Sequence, residues 1–337
     1  MNNIISFIIP AFNVEKYICT CIDNILNQKI DDWELIIVDD GSTDATAEIC
    51  DMYAEKDKRI KVMRQKNAGS AVARNSGLDM ATGKWIAFID GDDWIEENYL
   101  ETLQPYMEQN YDFIMYSYYE VRGMDKKSRC NALDEIELGK DEFQQMVMDV
   151  IDTEKRVSEV ASSRSQFWTK IYQKEFLFRN KLRLDPQLRM SQDVMFNLCV
   201  YNNAVKAIFI PKLLYNYRIL GDSTCHRYST EQLSRILKLT EAMGSYVKEM
   251  ELKQKGEILF QKRILVSLVN ACRLDFCHKD NPNSYTVRRG KFLCLCKQEP
   301  FASALKLKVI CSFSIRKQIC MWFVKFRCFR LLNFFLG

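Results

Sequence analysis

Histidine is almost missing from this chain: 337 residues contain two, His226 and His278. Neither lies near a nucleophile-like motif, which argues against Ser-His or Cys-His catalysis. Glycine-rich phosphate loops are missing as well. The absence of Gly-x-Gly-x-x-Gly argues against a dinucleotide cofactor, and the absence of Gly-x-x-x-x-Gly-Lys-Ser/Thr argues against a P-loop. No uncharged apolar run reaches the length of a membrane span. Met1–Phe12 is apolar, but it has no basic leader and no small-residue cleavage site, so it is expected to be a strand rather than a signal peptide. Internal repeats and low-complexity tracts are also lacking. Net charge is only +4, from 48 Lys and Arg against 44 Asp and Glu, too little to point to nucleic acid.

Hydrophobic residues make up 47% and charged residues 27%, the balance of a soluble globular protein with a sizeable core. The 13 cysteines are odd in number and follow no framework. The spacings of Cys19/Cys21, Cys272/Cys277/His278 and Cys294/Cys296 are not those of zinc sites. They read as core or exposed thiols, reduced in a cytoplasm.

The first third alternates regularly. Ile4–Ile9 and Trp33–Val38 are continuous apolar runs, the pattern of strands buried on both faces. Ile60–Met63, Lys84–Ile89 and Asp112–Tyr116 complete five predicted strands. Helical spacing covers Val14–Gln28, Asp44–Glu55, Ala71–Met80 and Glu96–Asn110. Ser42 or Thr43 is the expected cap of the second helix, and Gly83 marks the end of the third. This β-α alternation implies an α/β fold: a Rossmann-like, mostly parallel sheet with helices on both faces. Arg122–Phe167 is polar and weakly periodic, and reads as loops and helices. Order returns at Trp168–Tyr172, Asp193–Tyr201 and Ala207–Pro211. Beyond Thr230 the pattern is helical, so the expected division is an α/β domain over 1–225 and a helical region over 226–337.

Between Phe301 and Gly337 there is no Asp or Glu, while Lys306, Lys308, Arg316, Lys317, Lys325, Arg327 and Arg330 are basic. Ile315, Ile319, Trp322, Phe326 and Phe329 recur at spacings of four and three, which predicts one apolar helical face. Such a helix suits peripheral contact with an anionic membrane surface. The bland alternative is a helix that packs the same stripe on its own core.

In an open parallel sheet, ligands bind beyond the carboxyl ends of the strands. Pro10-Ala11-Phe12-Asn13 follows the first strand, Asp39-Asp40 ends the second, and Asp90-Gly91-Asp92-Asp93 follows the fourth. Asp-Gly alone is ordinarily a turn, and Asp-Asp-Gly-Ser is ordinarily a helix cap. Together they bring up to five carboxylates to one edge, a costly density unless a cation offsets it. Mg²⁺ or Mn²⁺ shared with a diphosphate would do so, and Arg74 lies near enough to pair with phosphate.

These segments, in order FIIPAFN at 7–13, ELIIVDDGSTD at 34–44, NAGSAVARNSGLDMATGKWIAFIDGDD at 67–93 and MSQDVMF at 190–196, resemble the family-2 glycosyltransferases of the GT-A fold, of the bacterial surface-polysaccharide type. The resemblance covers residues 4–220. It implies that Pro10, Ala11, Asn13, Asp39, Asp40, Arg74, Asp90, Gly91 and Asp93 hold a nucleotide-sugar, with Asp92 at the metal. It makes Asp193 the general base. Gln192 stands where the family often has Glu, a departure that touches acceptor orientation. Trp168, Lys170, Gln192 and Arg218 are candidate acceptor or phosphate contacts.

The implied activity is Mg/Mn-dependent, inverting transfer from a nucleotide-sugar, by family leaning a UDP-sugar, to a glycan or lipid-linked acceptor in polysaccharide biosynthesis. The implied location is cytoplasmic and peripheral at the inner face of the cell membrane, with no nucleic-acid partner. A non-catalytic binding or assembly subunit of the same fold is the alternative. An Asp-nucleophile phosphatase fits poorly, because its Asp-x-Asp follows the first strand rather than the fourth.

Overall fold

The computed structural model describes residues 4–130, 132–152, 165–189, 191–220, 228, 231–250 and 254–336. His226 and Met190 lie outside the described residues. The chain divides into two compact units, Met1–Val147 with Val157–Leu220, and Met148–Arg156 with Gly221–Gly337.

The first unit opens with β1 (Ile5–Ala11), α1 (Ile18–Leu26), β2 (Trp33–Asp39), α2 (Thr46–Lys56), β3 (Ile60–Arg64), α3 (Ser70–Met80) and β4 (Trp85–Phe88). It continues with β5 (Trp94–Ile95), α4 (Tyr99–Met107), β6 (Phe113–Arg122), β7 (Asp125–Arg129), β8 (Ile136–Leu138) and α5 (Lys140–Ile151), whose last turn enters the second unit. It ends with β9 (Lys170–Gln173), α6 (Lys174–Arg179), α7 (Gln192–Asn203) and β10 (Ala207–Arg218).

The strands form one ten-stranded sheet in the order β3-β2-β1-β4-β9-β6-β10-β5, with β7 on β6 and β8 on β10. β1, β2, β3 and β4 run parallel, as do β6 and β10. β9 is antiparallel to both of its neighbours. The longest ladders are parallel, as the α/β reading requires. Every residue of β2 is buried and all but Pro10 of β1, because helices cover both faces. Phe7 meets Trp33 and Tyr99 with ring centroids 6.5 and 5.9 Å apart.

α3 lies so close to β1 that a Cβ on Gly77 would fall 2.4 Å from Ile8 Cγ2. Only glycine permits that approach.

At the amino ends of the strands one carboxylate joins four segments. Glu34 Oε1 accepts from Ser6 Oγ (2.6 Å), from Thr82 N and Oγ1 (2.6 and 2.7 Å) and from Gly83 N (3.2 Å), and Oε2 accepts from Lys61 Nζ (2.6 Å). Burial pushes this carboxyl up, but the bonds from Lys61, Ser6 and Thr82 outweigh it and hold the group down at about 2.

Four expectations need correction. Neither Ser42 nor Thr43 caps α2: Ala45 precedes it, and Asp44 Oδ1 accepts from Thr46 N at 3.0 Å. Gly83 does not end α3, which stops at Ala81 in an extended conformation; its N–H instead joins the Glu34 cluster. The stretch after Arg122 holds two strands. Asp125–Arg129 forms a hairpin with β6, its side chains polar and mostly exposed, with Arg129 paired to Glu120, so it leaves no apolar alternation to read. The predicted apolar face of the tail is broken in two, as the second unit makes plain.

That unit is helical among its described residues: α8 (Gln232–Glu249), α9 (Gln254–Ala271), a π-helical turn (Cys272–Phe276), α10 (Tyr285–Leu295), α11 (Phe301–Ala304), α12 (Leu307–Ile310), α13 (Ile315–Lys325) and α14 (Phe329–Leu336). Leu265, Leu268, Cys272, Phe276, Phe292, Val324 and Leu332 form its core. The described cysteines of the chain are free thiols. Arg327, at φ +57°, ends the run that the sequence reads as one helix. α13 buries Met321 and Val324, and Phe329 is buried, whereas Ile315 (79%), Ile319 (45%) and Phe326 (66%) are exposed. No helix among the described residues is long and apolar enough to cross a membrane.

Candidate active site

The carboxyl edge of the first unit's sheet gathers the predicted segments. β1 and β2 are in register from Ile5↔Trp33 to Ala11↔Asp39, so their following loops leave side by side. Asp40 N donates to Ala11 O at 2.8 Å. Asn13, at φ +53°, accepts from Thr43 N through Oδ1 (2.8 Å), and its own N–H donates to Ser42 Oγ (3.1 Å). Asparagine tolerates this left-handed conformation better than most residues. Asp39 Oδ1 accepts from Ser42 N at 3.1 Å.

Asp40 is buried and already engaged. Its Oδ1 accepts from Gln65 Nε2 (2.7 Å) and Ala68 N (2.9 Å), and its Oδ2 accepts from Gly69 N (2.8 Å). It thus shapes the loop that leads into α3 and satisfies donors at that helix's start, which no side chain of its own caps. Gly69 sits at φ +96°, where a side chain would be strained.

Asp90-Gly91-Asp92-Asp93 leaves β4 beside β1. A Cβ on Gly91 would lie 3.3 Å from Val14 Cγ2 and 3.5 Å from Pro10 O, so the acidic loop abuts the loop after β1. Asp90 pairs with Nη2 of Arg74. Arg74 is buried, its guanidinium carbon lies 4.2 Å from the centre of the Phe167 ring, and its Nε has no hydrogen-bond partner among the described residues.

The acidic residues divide by environment. Asp92 is half-buried, and no other residue's hydrogen bond to its carboxylate is seen among the described residues. Burial, and then the neighbouring charge of Asp90, pushes it up to about 6, against the pull of Arg218 and Arg74. Asp93 is buried and is pushed well above the usual carboxylate range by burial and by Asp92 and Asp90. Its Oδ1 accepts from Arg218 N (2.7 Å), and its Oδ2 from Tyr215 Oη (2.8 Å).

Asp193 is the second residue of α7, two positions after Ser191, which turns the chain at φ +56°. Burial pushes its carboxyl up to about 6, opposed by a bond from Val194 N and by the charge of Arg74. Asp90 and Lys170 also act on it. Arg74 therefore stands within electrostatic reach of both the acidic loop and Asp193, about a hundred residues away in the chain. Gln192 is buried and accepts from Ser70 Oγ at 3.3 Å. This ties α7 to the start of α3.

The edge does not receive every candidate. Lys170 is fully buried, with Nζ donating to Gln166 O at 2.6 Å, and burial pulls its pKa well down. It is therefore an interior group. Trp168 is also buried, stacked on Tyr215 and Tyr217 at 4.5 and 5.3 Å. Arg218 does reach the edge. Its Nε donates to Asp92 O at 2.7 Å, and its guanidinium lies 4.5 Å from the Trp94 ring centre and 5.0 Å from that of Tyr17.

Sequence reasoning missed Gln65 and Ser70 as partners of Asp40 and Gln192, and missed the bond from Tyr215 to the acidic loop. The only signal for Tyr215 is a hydroxyl-bearing ring at the start of the polar end, Tyr215-Asn216-Tyr217-Arg218, of a strand that begins apolar. Among the described residues no group of three or more His, Cys, Asp or Glu is placed to hold a metal. Hard cations bound with substrate phosphates take only one or two carboxylates. Asp92, half-buried and raised first by burial and then by the charge of Asp90, is the candidate for that role.

A family model described as Glycosyl transferase family 2 matches residues 6–155. Glycosyltransferase GlyA of Streptococcus pneumoniae serotype 4 is 31% identical over 277 residues, 79% of this chain and 38% of its own length. The chain thus spans well under half of that relative. Glycosyltransferase GlyG of the same organism is 32% identical over 235 residues, 65% of this chain and 71% of its own. Among solved structures, S. aureus TarS 1-349 in complex with UDP-GlcNAc superposes with a TM-score of 0.70 at 18% identity, covering 98% of this chain and 89% of that one. At that identity the likeness is one of fold, here the GT-A fold.

Proposed function

The chain belongs to glycosyl transferase family 2, and on that premise we propose that it transfers a sugar from a UDP-sugar to a hydroxyl of a glycan or lipid-linked acceptor, with inversion. Transfer is assigned to the α/β region, residues 1–225, with the helical region 226–337 as its adjunct. The observation that carries the proposal is the grouping of Asp193 with Asp90 and Arg74, a base and an acidic loop sharing one guanidinium. The complex of TarS with UDP-GlcNAc supports the choice of nucleotide.

Asp193 takes the acceptor's hydroxyl proton as the oxygen attacks the anomeric carbon. The bond from that carbon to the diphosphate breaks, the configuration inverts, and a nucleoside diphosphate leaves. A carboxyl near 6 is ionised at neutral pH and close enough to the working pH to accept a proton well. The loops after β1 and β2, with Pro10, Ala11, Asn13, Asp39 and Asp40, form the nucleotide wall and fix the donor against the acceptor. Asp92 is the group that would hold Mn²⁺ or Mg²⁺, with Asp90 and Asp93 beside it. When bound, the ion supplies Lewis-acid stabilisation of the departing diphosphate. Gln192, whose identity suggests a non-catalytic protein, takes a bond from Ser70 and leaves Asp193 in place.

The test is a panel of UDP-sugars with Mn²⁺. A ligand that binds only the folded state raises Tm, and the matching donor should release UDP when an acceptor is added. Asp92→Asn should lose the metal-dependent part. Stabilisation without any UDP release across donors and acceptors would favour a binding subunit instead.

The exposed Ile315, Ile319, Phe326, Phe334 and Phe335, in a stretch free of acidic residues, support peripheral contact with an anionic lipid surface at the cytoplasmic face. Co-sedimentation with anionic vesicles, lost with neutral vesicles and on Ile315→Ser with Phe326→Ser, is the expected result. Equal sedimentation of the variant would remove the proposal.

A further inference from the structure

The acidic loop is held from outside itself. β10 slips register between Ile210 and Leu213 and again between Leu213 and Tyr215, and beyond these irregularities Tyr215–Arg218 lies against the loop. Tyr215 Oη accepts from Asp90 N at 3.1 Å and donates to Asp93 Oδ2 at 2.8 Å. Arg218 N donates to Asp93 Oδ1 and Arg218 Nε to Asp92 O, each at 2.7 Å. The Tyr215 ring is fully buried and stacks on Trp168 at 4.5 Å with 16° between planes. Its hydroxyl therefore has little freedom to move.

We propose that Tyr215 is a positioning residue: its phenol spans Asp90 and Asp93 and so aims the Asp92 carboxylate that lies between them. The proposal rests on the functional reading above. Asp92 has no hydrogen bond from another residue to its carboxylate among the described residues, so its direction is set by its backbone. That backbone is fixed by Tyr215 on one side and by Arg218 on the other. A ring hydroxyl with one donor and two acceptor positions suits the task. It ties an amide at one end of the loop to a carboxylate at the other, while Trp168 holds the ring. Partners of this kind, which orient a metal-holding group without touching the ion, are worth 10- to 100-fold in metal affinity.

The test is Mn²⁺ binding, followed by electron paramagnetic resonance with saturating UDP, in the full chain. Tyr215→Phe preserves the ring and its stacking and removes only the hydroxyl. It should weaken Mn²⁺ about 10-fold or more. Tyr99→Phe is the control. Its buried hydroxyl bonds to Tyr116 at 2.8 Å in the core, so it loses a comparable bond without changing Mn²⁺ affinity. Asp93→Asn attacks the same strut from the other end, so combining it with Tyr215→Phe should cost little more than either alone. Unchanged Mn²⁺ affinity in Tyr215→Phe, or losses that add in the double variant, overturn the proposal and leave the transferase reading standing. A wild-type protein that binds UDP but no Mn²⁺ sinks the proposal together with the metal role of Asp92.

Discussion

Asp193→Asn should make the protein a worse enzyme and a more stable one. The carboxyl is pushed from an ordinary 3.8 to about 6, with burial the first cause. At about 1.4 kcal/mol per tenfold change, holding it ionised costs the folded state at most about 3 kcal/mol at pH 7. The unfolded chain ionises near 3.8 and the folded one near 6, so the cost opens as pH rises between these values and is complete above 6. Asparagine removes it while still accepting from Val194 N. The loss of a negative charge near buried Lys170 works in the other direction, so the gain falls below that ceiling. For a unit of this size, about 2–4 °C per kcal/mol puts the expected rise in Tm at several degrees at pH 7, with little or none at pH 4. Loss of a general base lowers kcat by about 10²- to 10⁴-fold, or about 3–5.5 kcal/mol of barrier. UDP release in the presence of acceptor and calorimetric Tm, both measured at pH 7, give the two readouts. Near wild-type transfer would refute the base assignment. A fall in Tm would refute the account of the buried charge.

Three further outcomes follow from the same geometry. The kcat/KM profile should fall on the acid side with an apparent pKa near 6, because Asp193 must be ionised to accept the proton; a flat profile down to pH 5 would speak against it. Arg74→Met should cost up to about 3 kcal/mol in urea melts, the lower end for a broken buried pair, since Asp90 keeps 27% exposure; it should also weaken donor binding. Gly77→Ala forces a methyl into Ile8 at 2.4 Å and should lower the denaturation midpoint by about 1–3 kcal/mol equivalent, without any change in pH profile.

The parallel half of the sheet was legible because β1 and β2 are apolar at nearly every position, and burial on both faces demands that pattern. The hairpin strand Asp125–Arg129 was not, since it has no buried apolar face and is held by backbone bonds and by ion pairs such as Arg129–Glu120. The break at Arg327 was hidden for a different reason: no glycine or proline stands there to announce a left-handed residue. In the candidate site, the acidic loop, Asp40 and Asp193 could be picked out as candidates from their motifs. Their supports could not. Tyr215 lies 122 residues from Asp93 and Ser70 lies 122 from Gln192, and no local pattern encodes pairings that the fold alone creates. The burial of Lys170 could not be read either, because only its place in the sheet creates it.

Glu34 has a consequence for how such a chain can change over generations. Its carboxylate fastens β1, the start of β3 and the turn before β4 at one end of the sheet, while the loops proposed to meet a donor emerge at the other. Substitutions that retune sugar choice therefore fall far from the fastening that keeps the sheet assembled. A library randomised at Phe12, Gln65, Ala68 and Trp94 should retain mostly folded members, and one randomised at Ser6, Glu34 and Thr82 should not. One end of the sheet is free to explore because the other end is not.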